Sequence, residues 1–170
     1  LVETGNAGLT LRKIAECANM RLSNVQYYFK SRDDVLVALL GRYFEECIAN
    51  LSRMTEDSDA KTRRERVAFL VRSGLSHGQD ISDMCRAFRE IWTISSRNET
   101  INRCLTEYYR RFADVMADYV FDNDMDDAGR ARLKTMLLPY FEGYSVTAKS
   151  LPLDEEYVAE MLTDLVLGSS

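Results

Sequence analysis

Between Leu9 and Arg32 the chain carries five cationic side chains, Arg12, Lys13, Arg21, Lys30 and Arg32, against the single acid Glu16, a local balance of +4. Thr10, Ser23, Asn24, Gln26, Tyr27 and Tyr28 lie among them. A guanidinium offers paired donors that match the edge of guanine, and an amide can donate and accept together, as the edge of adenine requires. Hydroxyl and ammonium groups donate to phosphate oxygens. From Thr55 onward fifteen bases face twenty-one acids, and the whole chain carries −5. The basic segment is therefore local, the footprint of one contact with a polyanion.

Other chemistry is poorly supplied. His77 is the only histidine among 170 residues, and no Glu stands three positions before it. Ser-His-Asp catalysis, histidine-based metal sites and carboxylate-bridged metals in a helical bundle all need more. The reading is no enzyme, no metal and no cofactor. Cys17, Cys47, Cys85 and Cys104 include no Cys-x-x-Cys pair and are expected as buried thiols of a reducing cytoplasm. The longest apolar runs, such as Val35 to Leu40, are far too short to span a bilayer. Composition is that of a soluble globular protein, 46% hydrophobic and 29% charged. The chain opens on Leu1 rather than Met, so a few residues are expected upstream.

The elements that position these groups follow from periodicity. Two prolines and eight glycines leave long stretches without breakers. Leu1 to Thr4 reads as a helix end stopped at Gly5-Asn6-Ala7-Gly8. Thr10 can cap a short helix, Leu11 to about Ala18, with Leu11, Ile14, Ala15 and Ala18 on one stripe. Asn19 tolerates the left-handed conformation that ends a helix. A second short helix runs from about Leu22 to Phe29. Ser31 and Asp34 form a capping pattern that opens a long helix to Met54. After a polar break at Thr55–Asp59, helices are expected over Ala60–His77, Ser82–Arg97, Asn98–Phe121 and Asp127–Lys149. A last helix starts with Asp154 as N-cap and is stapled by Leu153 and Val158. No alternating strand pattern occurs. The class is all-α, with domains over 1–54 and 55–170.

Two short helices joined by a tight turn have helix-turn-helix geometry, the second helix entering the major groove. Gly8-Leu9-Thr10-Leu11-Arg12-Lys13-Ile14-Ala15, then Tyr27-Tyr28-Phe29-Lys30-Ser31-Arg32, then Val35-Leu36, resemble the N-terminal domain of TetR-family regulators. Asn19 and Ser23 stand where that pattern has Gly, Arg21 where it has Ser, Gln26 for its Tyr and Tyr28 for its His. Arg21 cannot cap the second helix as Ser would. The resemblance implies that Thr10, Arg12, Arg21, Ser23, Asn24, Gln26, Tyr27, Tyr28, Lys30 and Arg32 meet double-stranded operator DNA. Backbone amides at the start of the long helix are expected to help hold a phosphate. The stretch from Glu90-Ile91-Trp92 to Tyr108-Tyr109-Arg110-Arg111 is loosely similar to the choline-repressor-like branch.

Phe88, Trp92, Tyr108, Phe112, Met116, Tyr140 and Tyr144 give the later helices an aromatic content suited to lining a cavity for a small-molecule effector. Pro139 is expected to kink its helix and free the carbonyl of Thr135. The resemblance implies a homodimer through the last two helices, with Met136, Gly143, Tyr157, Met161, Leu162 and Leu165 at the interface. The expected function is a cytoplasmic repressor released from a palindromic operator by a ligand. The alternative is a DNA-binding protein without such an effector, controlled by a protein partner.

Overall fold

A computed structural model describes residues 8–79, 83–122 and 126–168. The helix end over Leu1–Thr4 and its stop at Gly5–Ala7 lie outside these, as do the side chains of His77, Met84 and Cys85. Among the described residues there are eight α-helices and no strand: α1 (Leu11–Cys17), α2 (Leu22–Tyr28), α3 (Arg32–Glu56), α4 (Arg63–Gln79), α5 (Asp83–Ser95), α6 (Glu99–Phe121), α7 (Asp127–Thr147) and α8 (Glu155–Leu167). The all-α expectation holds. The polar break falls later than expected, because α3 continues through Thr55 and Glu56.

The signals at the helix ends act as their chemistry dictates. Thr10 Oγ1 accepts from the Lys13 amide at 3.2 Å, Asp126 accepts from Gly129 at 2.8 Å, and Asp154 accepts from Tyr157 at 2.8 Å. Gly168 closes α8 at φ 71°, a left-handed position that glycine adopts without steric cost. Pro139 sits inside α7, and both Pro139 and Thr135, whose carbonyl loses its amide partner there, are exposed residues.

Packing groups the residues into two units. The first runs to Cys47 and takes in Asp83–Tyr108; the second takes in Ile48 onward and Tyr109 to the end. Ala15, Val25, Leu36, Leu40, Phe44, Ile91, Ile101 and Leu105 are buried in the first. The second has a larger core, including Val67, Val71 and Leu75 of α4, Met116 and Ala117 of α6, Leu133 and Leu137 of α7, and Val158, Leu162 and Val166 of α8. The ring of Phe141 lies so close to α4 that a Cβ at Gly74 would meet it at 2.6 Å.

The thiols depart from expectation. Cys17 is exposed, and Cys47 and Cys104 are only partly buried. Seven-residue α1 buries Ala15 alone and has no inner face left for Cys17. The second unit's core gives a direct test. Leu137→Ala should lower stability by about 2–5 kcal/mol, read as the shift of a urea denaturation midpoint. A loss under about 1 kcal/mol would show that Leu137 is not closely packed.

Candidate nucleic-acid interface

The turn between α1 and α2 is set by Asn19. Its φ of 51° is left-handed, and the Met20 amide donates back to the Ala15 carbonyl at 2.8 Å. Asn is among the few residues that take this conformation readily. Arg21 then precedes α2 and makes no side-chain cap bond, as expected of a side chain without an acceptor.

Helix α2 is nearly all display. Val25 is its only buried residue, while Ser23, Asn24 and Gln26 are exposed. Tyr27 and Tyr28 are 74% and 71% exposed, their rings edge to face at 5.0 Å. An unbound helix gains nothing from water around two tyrosines, and such amphipathic rings serve better against a partner. Thr10, Arg12, Arg21 and Lys30 are exposed too, and Arg32 is partly exposed.

The start of α3 differs from expectation in one respect. Asp34 Oδ2 accepts from the amides of Lys30 at 2.9 Å and Ser31 at 2.8 Å, while Ser31 Oγ accepts from the Asp34 amide at 3.1 Å. This is a reciprocal capping box. Two amides that could have held a phosphate already hold a carboxylate. Lys30 Nζ donates to the carbonyls of Gln26 at 3.4 Å and Tyr27 at 3.5 Å, closing the end of α2.

Comparison with known proteins settles the class. No protein-family model matches the chain. It is 44% identical over 168 residues to an uncharacterised HTH-type transcriptional regulator in the dhlA 5′ region of Xanthobacter autotrophicus, covering 98% of this chain and 83% of that protein. It is 27% identical over 113 residues to the HTH-type transcriptional regulator BetI of Rhizobium meliloti, covering 64% of this chain and 53% of BetI. The fold superposes with a TM-score of 0.67 on a crystal structure from Rhodococcus sp. assigned to the TetR-family transcriptional regulators, at 18% identity, covering 98% and 90% of the two chains. The chain belongs to the HTH-type transcriptional regulators, and its fold is that of the TetR-family neighbour. It is a DNA-binding regulator and not an enzyme. Among the described residues no helix is long and apolar enough to cross a membrane.

The regulator's remaining candidate residues divide between the two units. Phe88 and Tyr108 belong to the first, where Phe44 stacks on Tyr108 at 4.3 Å and Phe88 lies 5.8 Å from Tyr108. Trp92, also in the first, is half exposed. Phe112, Met116, Tyr140 and Tyr144 belong to the second; Met116 and Tyr144 are buried, and Tyr140 stacks on Tyr144 at 5.9 Å. On α8, Tyr157, Met161 and Leu165 are 56%, 46% and 51% exposed. Leu162 turns the other way, into the core with Val158 and Val166. On α7, Gly143 is exposed with open space over its Cα, and Met136 is partly buried.

Sequence reading did not single out Glu142. Burial pushes its carboxyl above the usual carboxylate range, against the opposing pull of a hydrogen bond from Tyr109. Its position in α7 was legible, but not the burial that desolvates it. A carboxyl raised on folding is favoured when protonated. That stability is fully present below its unfolded value and is lost as pH rises through the raised folded value. Glu142→Gln should therefore flatten the decline of stability between acid and neutral pH, measured by denaturant unfolding across that range. Parallel curves for parent and variant would show that Glu142 is not desolvated.

Proposed function

We propose that the chain is a homodimeric cytoplasmic repressor that reads a palindromic operator and is released by a small molecule. The observation that carries the reading is α2, a helix that buries one valine, half-buries Leu22 and displays its other five side chains. In this reading Arg12, Asn24 and Gln26 meet base edges. Thr10, Arg21, Ser23, Tyr27, Tyr28, Lys30 and Arg32 meet the phosphate backbone.

Dimerisation is supported by the two faces of α8. Val158, Leu162 and Val166 form one apolar stripe, buried within the chain, and Tyr157, Met161 and Leu165 form a second at the same four-residue spacing, exposed. A terminal helix with two apolar faces calls for a second cover. A twofold contact with the exposed Gly143 region of α7 would provide it. Two readers held about 34–36 Å apart then meet successive major grooves. The effector is an amphipathic small molecule held against the aromatic side chains of the helical domain. It acts only through its difference in affinity for the two states.

Arg12→Ala should weaken binding to a duplex selected from random sequence by about 1–3 kcal/mol and relax the preference at one base position per half-site. Binding as tight as the parent's would remove Arg12 from the interface. Charging the exposed stripe, with Met161→Glu and Leu165→Glu together, should give folded monomers by light scattering and abolish operator binding. A stable monomer of the unaltered chain would contradict the dimer.

A further inference from the structure

Asn98 lies between α5 and α6, in the same packed unit as the reader. Its side chain does two things at once. Oδ1 accepts from the amides of Thr100 and Ile101, both at 3.1 Å, which makes Asn98 the N-cap of α6. Nδ2 donates to Asp33 Oδ2 at 2.7 Å, across 65 positions of chain. The other oxygen of Asp33, Oδ1, accepts from Arg32 Nε at 3.4 Å. A continuous line of polar contacts thus runs from the first turn of α6, through the Asn98 amide and the Asp33 carboxylate, to the guanidinium of Arg32.

The chemistry of the line is directional. A primary amide accepts at its oxygen and donates at its nitrogen, so one short side chain serves both ends. With one oxygen held by Asn98, the carboxylate of Asp33 is fixed in rotation, and its second oxygen becomes a fixed acceptor for Arg32. Holding a long cation at the first residue of α3 before DNA arrives lowers the ordering cost that would oppose binding. We infer that Asn98 is a positioning residue for DNA binding: acting through Asp33, it presets Arg32 for its phosphate contact and ties the reader to the start of α6. This role rests on the proposed contact of Arg32 with DNA.

The test uses the full chain and a duplex that the unaltered protein selects from random DNA. Asn98→Ser keeps a capping hydroxyl and the charge but is too short to bridge to Asp33. Affinity should fall by about three- to tenfold, with the loss shared by nonspecific DNA, as for a backbone contact. Arg32→Ala should weaken binding and lower the salt slope by about 1. In the Arg32→Ala background, Asn98→Ser should have no further effect, the non-additivity expected of residues acting in one line. The exchanged pair, Asp33→Asn with Asn98→Asp, conserves charge, rebuilds the donor and acceptor with roles reversed and leaves a good cap on α6. It should bind within about twofold of the parent, and it serves as the decisive variant if Asn98→Ser unfolds.

Asn98→Ser binding as tightly as the parent overturns the role. So does a loss that persists undiminished in the Arg32→Ala background, and so does an exchanged pair no better than the single variant. A parent that enriches no duplex overturns the DNA contact itself, and that failure is visible before any variant is made.

Discussion

The reader depends on the capping box at the start of α3. Asp34 takes the amides of Lys30 and Ser31 while Ser31 takes the amide of Asp34, so the chain leaves α2 and enters α3 at one fixed angle. Without it, seven-residue α2, whose one buried residue is Val25, would have less to hold its orientation. Isolated helices of this length are unstable in water. The display of Ser23, Asn24, Gln26, Tyr27 and Tyr28 therefore rests on bonds made just beyond them.

Much of this was legible in the sequence because its causes are local. Thr10, Asn19, Ser31 with Asp34, and Asp154 are short-range devices, and each acts within four residues of its own position. The eight helices follow from periodicity over one or two turns. The family was legible for a related reason: the residues that position a reader sit in one short stretch, from Gly8 to Leu36.

What could not be read depends on distant partners. The sequence places Asn98 at the start of a helix, but nothing in its neighbourhood names Asp33. The polar break after α3 was placed too early because Thr55 and Glu56 look like loop residues, although Thr55 bonds the Ser52 carbonyl and extends the helix. The thiols were expected inside on the habits of cysteine as a residue type, whereas burial is decided by the face, and α1 has almost none. The aromatic residues from Phe88 to Tyr144 read as one set, yet packing assigns them to two units.

The division of labour on α8 bears on how such a protein can change over time. Val158, Leu162 and Val166 answer to the core, and a substitution there is felt by the fold. Tyr157, Met161 and Leu165 lie on the exposed side of the helix, where a substitution costs the fold less. In the proposed dimer, two copies that arise by gene duplication could diverge along the outer stripe until each recognised only itself, with the inner stripe and the stability it supports left unchanged. Much of the insulation between such sister regulators would then lie on one side of a thirteen-residue helix.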